Sequence, residues 1–206
     1  MDVIKLKPLG ICDTNSYIVA SNAGNAALVD APANAEHILS EIENRGLTLK
    51  MILLTHGHFD HVGAVADLVD KTGCEVYIHE RDLTKLSDPE GQLIEFFRVK
   101  GYRAFSGAKP IGDGDILKLD EIEFDVVHTP GHTSGSVCFI AGDVMFSGDT
   151  LFKRSVGRTD MPDGNYRELM KSMEIIKDLG GDLRILPGHM GETTLENERI
   201  YNSYLR

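Results

Sequence analysis

Thr55-His56-Gly57-His58-Phe59-Asp60-His61 gathers three imidazoles and a carboxylate directly after the apolar run Met51-Ile52-Leu53-Leu54. A short apolar run of this kind reads as a buried strand. A strand that stops at such a cluster delivers several donor groups to one sheet edge. Imidazole nitrogen combined with carboxylate oxygen suits Zn²⁺ and other first-row divalent metals. The competing reading is a solvated loop that happens to be rich in histidine. Three later segments weigh against it. His132 lies in Thr129-Pro130-Gly131-His132-Thr133-Ser134-Gly135-Ser136, after the strand-like 122–128. Asp149 lies in Ser147-Gly148-Asp149-Thr150, after Val144-Met145-Phe146. His189 lies in Leu186-Pro187-Gly188-His189, after Arg184-Ile185-Leu186. Each candidate follows a short strand and a turn of small residues. Gly and Pro there let the backbone bend and hold a side chain over the sheet edge.

The pattern His-x-His-x-Asp-His, with the His132, Asp149 and His189 segments after it in order, resembles the signature of the metallo-β-lactamase-fold hydrolases. The resemblance implies a four-layer αββα sandwich, whereas periodicity alone supports mixed α/β. It also implies a division of ligands. His56, His58 and His132 would hold a first metal, Asp60, His61 and His189 a second, and Asp149 would bridge them. Seven side chains exceed what one tetrahedral ion takes. Two divalent ions are therefore expected, zinc first, with iron or manganese as alternatives. Their four positive charges, less the two removed by Asp60 and Asp149, favour a bound hydroxide, and coordination makes one available near neutral pH. The expected chemistry is attack of that hydroxide on an acyl carbon, with Asp60 orienting the water. No Gly-x-Ser-x-Gly elbow offers a rival nucleophile. Asp30, at the end of Ala27-Leu28-Val29, is an orienting partner for an imidazole by analogy with family members, or an ordinary turn carboxylate. His37, His79 and His128 receive no ligand role.

Asp149-Thr150-Leu151-Phe152 followed by Gly157-Arg158-Thr159-Asp160 is similar to the small bacterial glyoxalase II-like hydrolases, and so is the ending from Pro187-Gly188-His189 to Glu198. That branch cleaves hydroxyacyl thioesters such as S-lactoylglutathione, so a small acyl thioester is the expected substrate. Two departures bear on the thiol carrier. Glyoxalase II enzymes add a C-terminal helical domain that supplies basic glutathione contacts, and this chain stops at Arg206. Their Lys/Arg-Phe-Tyr is Arg158-Thr159-Asp160 here, which keeps only the cation. Lys153, Arg154 and Arg158 could meet a substrate carboxylate, Arg158 foremost, or form a solvated loop paired with Asp160 and Asp163. An iron-dependent persulfide dioxygenase, a lactonase and a non-enzymatic metal-binding protein are the alternatives. The last would be expected to have lost a ligand, and none is lost.

The 206 residues are long enough for one domain with a sizeable core. A formal charge of −11 argues against a nucleic-acid partner. No secretory segment is visible at 1–8, and no apolar run reaches membrane-spanning length. Cys12, Cys74 and Cys138 are an odd, widely spaced set, which fits reduced thiols in the cytoplasm. Cys74 and Cys138 read as core residues. The oligomeric state is left open.

The expected strands are 3–9, 16–20, 26–31, 51–54, 75–79, 116–119, 122–128, 136–140, 144–147 and 183–186. Helices are expected at 34–45, 62–71 and 166–179, with Asn165 and Glu168 as a capping pair, and a helical tail begins near 194. Segment 81–109 fits the alternation poorly. It reads as a short helix plus loop beside the mouth of the site, or as a surface excursion anchored by Leu93, Ile94, Phe96, Phe97, Tyr102 and Phe105.

Overall fold

Strands β1 (Asp2–Lys5), β2 (Tyr17–Ala20), β3 (Asn25–Val29), β4 (Thr48–Leu53), β5 (Glu75–His79) and β6 (Lys109–Ile111) form one sheet in chain order. A second sheet runs in the order β14 (Thr193–Thr194), β13 (Arg184–Pro187), β10 (Val144–Gly148), β9 (Val137–Ala141), β8 (Ile122–His128), β7 (Ile116–Leu119). A small ribbon, β11 (Leu151–Phe152) with β12 (Ser155–Val156), follows β10. The helices are α1 (Ala35–Glu43), α2 (Phe59–Val62), α3 (Val65–Thr72), α4 (Tyr166–Lys177) and α5 (Leu195–Tyr201). This is a computed structural model, and it describes residues 1–88, 94, 99 and 101–206.

Three buried clusters fix the layering. Between the sheets, Tyr17, Val19, Val29 and Leu53 meet Phe124, Phe139, Phe146 and Leu186. On the far side of the first sheet, Ile18, Leu28 and Ile52 pack with Ile38 and Ile42 of α1 and Leu68 of α3. On the far side of the second, Met145 and Ile185 pack with Leu169, Met173 and Ile176 of α4 and Leu195 of α5. Successive strand residues point to opposite faces. Strands covered on both faces need apolar side chains on both, which is why 26–29 and 51–54 read as unbroken apolar runs. Each fully buried Phe, Leu or Ile contributes about 1.5–3 kcal/mol. The result is the expected four-layer αββα sandwich.

The parallel pairs set the site. β3 runs parallel to β4, and β10 parallel to β13. Their C-terminal ends therefore lie side by side, and the loops leaving them are neighbours. One extra residue, Lys50, sits in β4 where the register passes from Ala26–Leu49 to Ala27–Met51.

The structure departs from the expected elements in several places: the strand expected at 3–9 ends at Lys5, and the short strands β6, β11, β12 and β14 were not expected. The helix expected at 62–71 is two helices. α2 already begins at Phe59 and carries Asp60 and His61, and the chain breaks at Gly63 before α3. A Cβ on Gly63 would lie 2.5 Å from Pro32 O, so only glycine allows this approach. β6 contains Pro110, which its edge position tolerates because proline cannot donate to a ladder. In the 81–109 segment the expected short helix is present as the 3₁₀ helix Glu80–Ser87, and Tyr102 and Phe105 pack against the first-sheet helical core. Leu93, Phe96 and Phe97 lie outside the described residues.

Candidate metal centre

All seven expected ligands converge at the edge where β4, β8, β10 and β13 end. His56 and His58 leave β4, Asp60 and His61 ride on α2, His132 follows β8, Asp149 follows β10 and His189 follows β13. Two glycines bring the halves of the chain together. A Cβ on Gly148 would lie 2.5 Å from Thr55 Oγ1, and one on Gly188 would run into Asp149 Oδ1 and lie 2.6 Å from His61 Cε1. Hydrogen bonds also join the halves below the site, among them Val137 N to Thr55 O at 2.8 Å, Asn15 N to Gly188 O at 2.7 Å and Tyr17 Oη to Pro187 O at 2.8 Å.

The donors fall into overlapping sets. One atom each of His56, His58 and His132 lie within 4.8 Å of one another, and the same holds for Asp60, His61 and His189. His58 Nδ1 is 2.9 Å from His132 Nε2. Asp149 reaches both sets: Oδ2 is 3.6 Å from His132 Nε2 and 3.4 Å from His189 Nε2, and Oδ1 is 3.4 Å from His61 Nε2. Asp60 Oδ2 lies 3.3 Å from His189 Nε2 and accepts from Thr14 Oγ1 at 3.1 Å.

Electrostatics separate the sets. Burial, and then the neighbouring imidazoles, hold His56 well below the usual histidine range, and burial with His132 takes His58 to about 4. Burial also opposes charge on His61, but Asp30, Asp149 and Asp60 outweigh it and raise that imidazole well above its ordinary value. His189 is likewise raised, to about 9, by Asp149 and Asp60 against the cost of burial. Burial opposes ionisation of Asp60 and Asp149, yet His61 and His189 draw both down, Asp60 to about 2.

The buried atoms His56 Nε2, His61 Nε2 and Asp149 Oδ1 have no hydrogen-bond partner among the described residues. Unpaired buried polar atoms are costly and call for a partner. All three face the middle of the cluster, and nitrogen with carboxylate oxygen is the donor chemistry of zinc and its neighbours. The donor set fits divalent cations.

The outer nitrogens of three rings are held from behind, which fixes ring orientation. His61 Nδ1 meets Asp30 Oδ2 at 2.7 Å, His56 Nδ1 meets Thr55 Oγ1 at 3.1 Å, and His132 Nδ1 meets Arg158 O at 2.8 Å. Asp30 thus takes the place the resemblance suggested for it. The contribution of the Arg158 backbone had no signal in the sequence, because any residue type carries a carbonyl.

The centre opens into a cavity of about 590 Å³ whose wall includes Phe59, Phe152, Val156, Met161, Pro162 and Arg158. The Arg158 side chain is 61% exposed and forks onto Asp160 at 2.6 and 2.8 Å. Arg154 turns to the Tyr201 ring, 5.4 Å away, and neither it nor Lys153 lines the cavity. Cys12 does line it, and burial with the Asp60 charge pushes its thiol up to about 11. His79 and His128 take no part and stack on each other with ring centres 4.0 Å apart.

Residues 9–189 match the family model of the metallo-beta-lactamase superfamily. The chain belongs to that superfamily. Membership points to a metal-dependent hydrolase. The protein named hydroxyacylglutathione hydrolase GloC from Haemophilus influenzae is 35% identical over 98% of this chain and 97% of its own length. The BLEG-1 B3 metallo-beta-lactamase structure superposes with a TM-score of 0.88 at 34% identity, covering 99% of each chain. The structure of TTHA1623 in a di-iron-bound form gives 0.84 at 36% identity, covering 98% of this chain and 100% of the other. The superfamily chain therefore has relatives in the hydroxyacylglutathione hydrolase-like branch, as its motifs suggested. Among the described residues no helix is long and apolar enough to cross a membrane.

Proposed function

We propose that this protein hydrolyses small hydroxyacyl thioesters of the S-lactoylglutathione kind at a two-metal centre. The observation that carries the reading is the position of Asp149, within 3.6 Å of His132 on one side and 3.4 Å of His61 and His189 on the other. His56, His58 and His132 would hold one ion, Asp60, His61 and His189 the other, and Asp149 both. Bound divalent ions would supply an activated water near neutral pH and polarise the acyl carbonyl.

The chain's own groups bind and orient. Asp60, fixed by Thr14 and His189, would align the attacking water from the cavity floor. Phe59, Phe152, Val156, Met161 and Pro162 would pack on the acyl or thiol part and exclude bulk water. Arg158 at the rim would meet a substrate carboxylate, in competition with Asp160. The name of the GloC relative supports the thioester reading, and the di-iron neighbour keeps iron beside zinc as a candidate metal. The free thiols Cys74 and Cys138, both buried, support a reducing, cytoplasmic setting. A charge of −11 supports a small-molecule substrate over nucleic acid.

The test is S-lactoylglutathione hydrolysis by purified protein with metal quantified on the same sample. Turnover with about two metals per chain is expected. No turnover in fully loaded protein would overturn the thioester reading and direct attention to lactones or an iron-dependent persulfide reaction.

A further inference from the structure

We infer that Asp82 is the positioning residue for the His56–His58–His132 trio. It lies in the Glu80–Ser87 3₁₀ helix, outside every ligand motif, and is fully buried. Its Oδ2 accepts from Gly57 N at 2.8 Å and from Thr133 Oγ1 at 2.7 Å. Its Oδ1 accepts from Gly135 N at 2.9 Å and from Lys85 Nζ at 2.8 Å. Gly57 is the residue between His56 and His58, and Thr133 follows His132. One carboxylate therefore grips both loops that carry the trio, beside the ligands themselves.

The fit is specific to a carboxylate. Four donors occupy the roughly four acceptor positions such a group offers. Lys85 supplies the opposite charge that a buried anion requires. A Cβ on Gly135 would lie 2.6 Å from Asp82 Cγ, so the loop comes this close only as glycine. An asparagine would turn an N–H₂ toward one of the donors and leave an N–H unpaired. The two loops belong to opposite halves of the chain, and a shift of either would pull the three imidazoles apart.

The inference rests on the proposed metal reading, and the experiment separates the two. Metal-free protein is titrated with Zn²⁺ against a chromophoric chelator, and the two binding steps are resolved. The step that His58→Ala removes is assigned to the trio. Asp82→Asn is expected to weaken that step by roughly 10- to 100-fold, the scale on which groups behind metal ligands act, and to leave the other step unchanged. Thr133→Val, which removes one donor and keeps the shape, is expected to weaken the same step by less, and it decides the matter if Asp82→Asn does not fold. Glu198→Gln is the control. Glu198 is a buried carboxylate that accepts from Arg154 N, Thr193 Oγ1 and Asn202 Nδ2, away from the two loops that carry the trio. It should lower Tm and move neither step. Unchanged steps in folded Asp82→Asn, or equal weakening of both, would overturn the inference alone. Wild-type protein that takes up no metal would overturn the metal reading and the inference with it.

Discussion

Asp30 Oδ2 lies 2.7 Å from His61 Nδ1, and both side chains are shut off from solvent. The same carboxylate accepts from Thr55 N at 2.9 Å and Thr55 Oγ1 at 2.8 Å. Asp30 thus joins the end of β3 to the start of the ligand loop and turns the His61 Nε2 inward. Asp30→Ala should cost about 1–3 kcal/mol by leaving the Thr55 N–H unpaired, and should weaken one metal by roughly 10- to 100-fold. Denaturation and metal analysis on the same preparation check this. A lower Tm with unchanged metal affinity would reduce Asp30 to a turn residue.

Asp149 approaches His132 of one set and His61 and His189 of the other. Asp149→Ala should therefore lower the content of both metals and cut turnover by at least about a hundredfold, the scale of losing one preorganised polar group. Elemental analysis decides it. Retention of about two metals per chain would sink the bridging assignment.

Gly188 sits where a methyl group would strike Asp149 Oδ1 and His61. Gly188→Ala should weaken metal binding without removing any ligand. Gly112→Ala, which meets nothing within 4 Å, is the matched control. Equal metal affinity in the two variants would show that the loop yields easily.

The cluster of candidate ligands was legible because its chemistry lies in side-chain type. Histidines and aspartates after strands announce themselves, and the small residues beside them mark the turns. The sandwich was legible through the resemblance, while the apolar runs alone said only that strands were covered on both faces. What escaped the sequence depends on backbone or on distant packing. The break at Gly63 answers to Pro32, which lies far back in the chain. The two-residue strands β11, β12 and β14 are too short for any periodicity. Asp82 stood in His79-Glu80-Arg81-Asp82, a run that reads as a helix entry, and its four donors come from its own helix and two remote loops.

Cys138 offers a pH test away from the candidate metal centre. Full burial pushes its thiol from 9.0 to about 11. The folded value lies above the unfolded one, so its contribution to stability is complete below pH 9.0 and is lost as pH rises toward 11. The loss is on the order of 3 kcal/mol across that window. Tyr17, raised chiefly by burial, shifts stability in the same direction at higher pH. Urea unfolding at successive pH values should therefore show a shallower decline for Cys138→Ala than for wild type between pH 9 and 11. Parallel curves would mean that the thiol ionises in place.

The Arg158–Asp160 fork sets the expected scale for substrate charge. Both side chains are exposed, at 61% and 69%. An exposed, solvent-screened pair of this kind contributes little, so a substrate carboxylate can displace Asp160. Arg158→Ala should then raise KM for anionic thioesters by a few-fold, leave kcat nearly unchanged and spare neutral thioesters. Asp160→Asn should lower KM for the anionic ones, because it frees the guanidinium. His132 should keep its orientation in both variants, since it bonds the Arg158 backbone carbonyl and not the side chain. Equal effects of Arg158→Ala on charged and neutral thioesters would remove its role in anion binding. A fall in metal content would show instead that the substitution had moved the carbonyl behind His132.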